Sequence, residues 1–136
     1  MKTPIVRVLV VDDFEPFRRF VCSLLSKATG WWVIGEVSDG LEAVQKAEEL
    51  QPELILLDIG LPNLNGLEAA NRIHRVAPSS KIVFVTQENS FDVVRAALSN
   101  GAMGYVLKSD AGSELLEALE TVLRGGQFIS GRIERV

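Results

Sequence analysis

The chain is expected to fold as a doubly wound α/β protein, a five-stranded parallel sheet covered by helices on both faces. Three observations predict this. Short, β-branched apolar runs alternate with segments of helical spacing along the whole chain. The longest runs are too continuous for strands wetted on one face, and strands buried on both faces look like this. Strict βα alternation also demands parallel pairing, since each parallel crossover needs a helix and follows the right-handed path.

Ile5 to Val11 reads as the first and central strand, followed by a helical segment from Phe17 to Leu25 with apolar residues three and four apart. Trp32-Val33-Ile34 forms a shorter second strand, and the helix from Leu41 to Leu50 is opened by Gly40 and ended by Pro52. Leu54 to Leu57 is the third strand, followed by a helix from Leu67 to Val76 with Pro78 beyond it. Ile82 to Val85 gives the fourth strand and Val93 to Leu98 its helix, closed by Asn100-Gly101. Met103 to Leu107 and the helix from Leu115 to Leu123, closed by Gly125-Gly126, complete the pattern. One domain over residues 5–128 is expected, with 129–136 as a tail or the start of a linker.

Composition narrows the function classes. The 136 residues are 47% hydrophobic and 24% charged, which suits one buried core with a charged surface. A net charge of -4 provides no basic excess for a phosphate backbone, so direct nucleic-acid binding is not expected. Cys22 is the only cysteine, which rules out an intrachain disulfide. Its neighbours, Phe20 to Leu25, read as a buried helix face, and a reducing cytoplasm fits. No apolar run approaches the ~20 residues of a membrane span. Met1 to Pro4 leads into a strand rather than a signal peptide, so a cytoplasmic chain with no membrane contact is expected.

Ligands of open α/β sheets bind beyond the carboxyl ends of the strands. Here those ends carry Asp12-Asp13 on strand one, Asp58 on strand three, Thr86 on strand four and Lys108 on strand five. Three carboxylates in one crevice repel by ~4 kcal/mol per pair at 4 Å and an effective dielectric near 20, so they require protons or a cation. An all-oxygen set suits a hard divalent ion. Mg²⁺ suits it best, because that ion is typically held by one or two carboxylates together with a phosphate oxygen. A phosphoryl group would then find a cation in Lys108, a hydroxyl donor in Thr86 and a carboxylate nucleophile in Asp58. Each residue alone has a plainer reading: Asp12 and Asp13 as helix caps, Lys108 as a solvated lysine, Thr86 as a strand residue, Asp58 as a turn former. Their placement on four strand ends favours a site.

Asp12-Asp13, the segment Asp58-Ile59-Gly60-Leu61-Pro62-Asn63-Leu64-Asn65-Gly66, Thr86 and Gly104-Tyr105-Val106-Leu107-Lys108 together resemble the response-regulator receiver of two-component signalling, from about Ile5 to Phe128. The resemblance implies strand order 2-1-3-4-5, the doubly wound order that the chemotaxis receiver shares with flavodoxin. It also implies phosphorylation of Asp58 by a sensor histidine kinase. Mg²⁺ would be held by Asp13, Asp58 and the Gly60 carbonyl, with Asp12 reaching it through water. Lys108 would pair with the phosphoryl group, Thr86 would move toward it, and Tyr105 would turn inward behind Thr86 as the aromatic switch. The stretch from Leu107 to Phe128 is similar to receivers that precede a LuxR-type helix-turn-helix. Both an excised and a stand-alone receiver fit the sequence; the excised one is favoured, and control of transcription through a DNA-binding domain outside this chain is expected. The face around Val93, Val94, Ala97, Tyr105 and Leu115 is where relatives dimerise, and a homodimer on phosphorylation is expected.

Two positions depart from the family's pattern. Gln87 follows Thr86 where a small residue is usual, and is expected to cover the site partly. Ser109 follows Lys108 where proline is usual, which leaves the geometry of that peptide open. His74 lies beside Arg72 and Arg75 and reads as part of a solvated helix face; Trp31-Trp32 reads as a strand entry with one ring packed on the first helix. A haloacid-dehalogenase-type phosphatase would need Asp-x-Asp after its first strand, whereas the acids here are adjacent and Asp58 lies on the third. A flavodoxin-like cofactor module would need phosphate-binding N–H groups where Asp12, Asp13 and Glu15 stand. The closer alternative is a pseudo-receiver that binds partners without phosphorylation. No enzyme activity beyond the chain's own phosphorylation and dephosphorylation is expected.

Overall fold

The computed structural model describes residues 5–133. Six parallel strands, β1 (Val6–Val11), β2 (Trp31–Val37), β3 (Leu54–Leu57), β4 (Lys81–Thr86), β5 (Gly104–Leu107) and β6 (Phe128–Ile129), form one sheet in the order β2-β1-β3-β4-β5-β6. Five helices connect them: α1 (Glu15–Lys27), α2 (Gly40–Leu50), α3 (Gly66–Val76), α4 (Phe91–Ser99) and α5 (Ala111–Leu123). The expected order 2-1-3-4-5 is present, with β6 added at the β5 edge.

The continuous apolar runs are explained by the two-residue period of a strand. Val8 and Val10 of β1, Leu54 and Leu56 of β3, and Val83 and Val85 of β4 enter a core with Val21 and Leu25 of α1 and Leu115, Leu119 and Val122 of α5. The intervening Leu9 and Val11, Ile55 and Leu57, and Ile82 and Phe84 enter the opposite core, with Ala43 and Ala47 of α2, Ile73 of α3 and Val94 of α4. Deleting a side chain such as Leu56 from either layer costs ~2–5 kcal/mol.

Helix starts are encoded locally. Asp39, Asn65 and Ser90 each accept the backbone N–H three residues on, capping α2, α3 and α4. Helix α1 instead begins at an uncapped Phe14 with Pro16 in its first turn.

Several sequence expectations change here. Beyond residue 128, Ile129 pairs in β6 and Ser130 and Ile133 are buried, while residues 134–136 of the expected tail lie outside the described residues. Val94, Ala97, Tyr105 and Leu115, expected on a dimer face, point into the cores, because their faces of α4, β5 and α5 are those that cover the sheet. His74 is half-buried rather than solvated, since the side-chain-free Gly101 leaves room for its ring. Cys22 is half-buried, not buried; Trp31 packs beside it and Trp32 is exposed. Among the described residues no helix is long and apolar enough to cross a membrane.

Candidate functional site

Strands β1, β3, β4 and β5 end at one level and deliver Asp12, Asp58, Thr86 and Lys108 to one crevice. Main-chain bonds set the first two: Asp12 N donates to Val37 O at 3.0 Å and Asp58 N to Val11 O at 3.1 Å. Asp12 Oδ1 accepts from Phe14 N at 2.8 Å, turning the chain from β1 into α1, and Asp58 Oδ1 accepts from Ile59 N at 2.7 Å. The plainer reading of Asp12 as a helix cap is thus half met, by a turn one residue before the helix.

The remaining carboxylate oxygens face Lys108. Its Nζ lies 2.8 Å from Asp12 Oδ2 and 3.1 Å from Asp58 Oδ2, and 4.7 Å above the centre of the Phe17 ring. Asp12, Asp13 and Asp58 can each bring a carboxylate oxygen within 4.8 Å of the others. Burial, with the Asp58 charge adding to it, raises the Asp12 carboxyl above the ordinary aspartate value despite bonds from Lys108 and Phe14. Burial alone would lower Lys108, but its hydrogen bonds to Asp12 and Asp58 prevail and raise it. Two buried acids thus share a single ammonium, with the exposed Asp13 carboxylate beside them. That donor set fits a hard divalent cation: all its ligand atoms are carboxylate oxygens, and it carries more negative charge than Lys108 neutralises.

The crevice measures about 250 Å³ and is lined by Asp13, Phe14, Asp58, Gly60, Thr86, Gln87, Glu88 and Lys108, with the buried Asp12 paired to Lys108. Gly60 has open space on its side-chain side. The loop after it is drawn tight: Gly66 N donates to Ile59 O at 2.7 Å, and a Cβ on Gly66 would lie 2.0 Å from Asp58 O. Glycine is therefore required where α3 starts against the Asp58 main chain.

Thr86 is 1% exposed, and its Oγ1 accepts weakly from Glu88 N at 3.4 Å. Tyr105 is wholly buried with its ring turned inward, and its hydroxyl donates to Glu88 O at 2.6 Å. Burial, then the charges of Glu88 and Asp58, hold that phenol above its ordinary pKa. Tyr105 thereby ties β5 to the loop that follows Thr86. Gln87 is exposed at the crevice mouth. No cis peptide bond occurs among the described residues, so Lys108-Ser109 is trans.

The structure brings together every residue singled out at the strand ends. Sequence reasoning passed over Phe14, Phe17 and Glu88, and also Arg18, whose Nη1 donates to Asp12 O at 2.9 Å. Phe17 and Arg18 lie in the first turn of α1, and no helical spacing marks them, because Lys108 and Asp12, which they touch, lie outside that helix.

Response regulator receiver domains match this chain over residues 8–120. The chain belongs to that family. Among curated relatives, this receiver is 36% identical over 130 residues to the response regulator GacA of Pseudomonas viridiflava, covering 94% of this chain and 60% of the relative. It is 37% identical over 123 residues to the nitrate/nitrite response regulator NarL of Escherichia coli K12, covering 90% and 57%. It therefore spans about three fifths of the length of the relatives it matches. A crystal structure of a LuxR-family two-component response regulator from Aurantimonas sp. SI85-9A1 superposes with a TM-score of 0.90 at 30% identity, over 95% of this chain and 92% of that one. The receiver assignment, its two-component setting and its kinship with LuxR-type regulators are thereby established.

Proposed function

We propose that this receiver is a phosphoacceptor switch in which Asp58 takes a phosphoryl group from a sensor histidine kinase. The observation that carries the reading is the position of Asp58 Oδ2, 3.1 Å from Lys108 Nζ at the edge of an acidic cluster that fits a divalent cation. An Asp58 carboxylate oxygen attacks the phosphorus, the bond from phosphorus to the kinase imidazole breaks, and its electron pair returns to the nitrogen. Asp13, Asp58 and the Gly60 carbonyl would hold Mg²⁺, with Asp12 acting through water. Bound there, the ion supplies charge that offsets the phosphoryl oxygens. Lys108 gives up Asp12 for a phosphoryl oxygen, and Thr86 turns its hydroxyl to another. The Thr86 movement shifts the Glu88 loop, and Tyr105, bonded to the Glu88 carbonyl, carries that shift to β5.

The chain works in the cytoplasm, has no catalytic turnover of an external substrate and binds neither membrane nor nucleic acid itself. Its output is transcriptional, through a DNA-binding domain outside this chain, and phosphorylation favours a homodimer. The faces such a dimer uses must be other than the buried Val94, Ala97, Tyr105 and Leu115.

Intact mass after incubation with Mg²⁺ and acetyl phosphate tests the site. One phosphoryl adduct is expected, absent in Asp58→Asn and absent with EDTA. No adduct from acetyl phosphate or from a panel of histidine kinases would make this a pseudo-receiver. Gln87, at the mouth, slows attack by water on the phosphorylated site. Gln87→Ala should lose the adduct faster in the same assay, and an unchanged lifetime removes that role.

A further inference from the structure

The hold on Lys108 extends beyond the crevice to the end of the described chain. Ser130, 1% exposed, sits beside β5, and its N donates to Tyr105 O at 2.9 Å. Its hydroxyl accepts Leu107 N–H at 2.9 Å and donates to Glu114 Oε1 at 2.6 Å. Two residues on, Arg132 Nε donates to Asp110 Oδ1 at 2.8 Å, and Ile133 is buried in the core that contains Tyr105. Asp110 is itself buried and closes the 3₁₀ turn Lys108–Asp110. The strap formed by residues 128–133 thus grips the main chain directly before Lys108 and the Asp110 side chain two residues after it.

We propose that Ser130 and Arg132 are positioning residues for Lys108: by fixing Leu107 and Asp110 they determine where the ammonium meets Asp58. The proposal rests on the phosphoacceptor reading above. A lysine side chain has four rotatable methylenes and much rotamer freedom, so its aim depends on a fixed main chain and on packing such as that over Phe17. Misplacing a reacting group by about 1 Å can cost 10²-fold in rate. Leu107 is also the last residue of β5, where β6 is only two residues long and has already ended. Without the Ser130 hydroxyl, the Leu107 N–H has no partner from the sheet, and Glu114 loses its shortest bond.

The test uses the whole chain with Ser130→Ala and, separately, Arg132→Ala. Three quantities are read: the initial rate of phosphoryl uptake from acetyl phosphate, Mg²⁺ affinity by calorimetry, and amide hydrogen exchange over residues 107–110. The expected result is uptake slowed by about tenfold in Ser130→Ala and by a few-fold in Arg132→Ala. Exchange should be faster in both, with Mg²⁺ affinity unchanged. General damage to the fold would weaken Mg²⁺ binding in parallel, and that pattern overturns the proposal, as does wild-type uptake in both variants. If Ser130→Ala does not fold, Arg132→Ala decides, since its guanidinium side chain is 74% exposed and its loss leaves the core intact. A wild-type chain that takes no phosphoryl group fails the phosphoacceptor reading instead. Exchange then judges the strap alone, and unchanged exchange in both variants overturns it.

Discussion

Strands β1 and β3 lie side by side, and each carries charge at both ends. At their amino ends Arg7 meets Glu53: the guanidinium donates to the Glu53 carboxylate at 3.2 and 2.9 Å, to Leu50 O at 2.9 Å and to Gln51 O at 2.6 Å. The Arg7 N–H adds a bond to Glu53 Oε1 at 2.7 Å. There one cation answers one anion. At the carboxyl ends of the same strands, Asp12 and Asp58 pair with the single ammonium of Lys108, and Asp13 brings a third carboxylate within 4.8 Å of theirs. The first cluster is electrically closed, and its Glu53 is pulled below the ordinary glutamate pKa, chiefly by the Arg7 hydrogen bond. The second remains open, and its Asp12 is pushed up. Two ends of one pair of strands thus separate a joint that holds the sheet from an acidic site whose donor set fits a cation.

The largest expected effect removes the cation at the open end. Lys108→Ala takes away the only cation paired with the carboxylates of Asp12 and Asp58 among the described residues. Phosphoryl uptake by Asp58 should fall by about 10²-fold, as when an electrostatic partner of the developing charge is deleted. Mg²⁺ binding should persist, because the carboxylates remain. Initial uptake rates at saturating Mg²⁺ measure this, and an unaltered rate would mean that Lys108 only balances charge at rest.

A smaller effect tests the surplus itself. Asp12→Asn removes one carboxylate from a cluster that has too many, and without Mg²⁺ it should stabilise the fold by about 1 kcal/mol, roughly 4 °C in Tm. Saturating Mg²⁺ should raise the wild-type Tm by mass action and raise that of the variant less. Scanning calorimetry with and without the ion reads both. A lower Tm for metal-free Asp12→Asn would show that its bonds to Lys108 and Phe14 outweigh the repulsion.

The open end was legible in the sequence and the strap was not, for physical reasons. Asp12, Asp58, Thr86 and Lys108 stand where long apolar runs stop, and a strand end in a parallel sheet has a known place in the fold. Residues 127–133 hold only Phe128, Ile129 and Ile133 as apolar markers. That is too short a stretch for periodicity to register, and Ser130 becomes buried only because Leu107 and Glu114, distant in sequence, both bond it. His74 was misplaced for a similar reason. Its own helix puts it beside two arginines, while the room for its ring is made by Gly101, in another segment. Counting faces on one helix cannot supply that information. The inward placement of Val94, Ala97 and Leu115 was legible from their apolar spacing, which marks the side of a helix turned to the sheet; the family resemblance drew them to the surface instead.

The smallest effect lies at the closed end and has the opposite sign. Glu53→Gln should lower Tm near neutral pH, but by less than ~1 kcal/mol, because the side chains of Arg7 and Glu53 are 35% and 44% exposed and water screens the pair. Its pH dependence follows from the lowered pKa. In the unfolded chain Glu53 titrates near 4.5, in the folded chain below that, so its contribution is present above 4.5 and disappears as pH falls through the folded value. Melting curves of wild type and Glu53→Gln should therefore converge below pH 4.5. At neutral pH without Mg²⁺, neutralising an acid should destabilise the amino end of these strands and stabilise the carboxyl end. If Glu53→Gln and Asp12→Asn move Tm in the same direction, the two clusters do not differ in charge balance, and the demand for a cation at the crevice must come from somewhere other than its surplus of carboxylates.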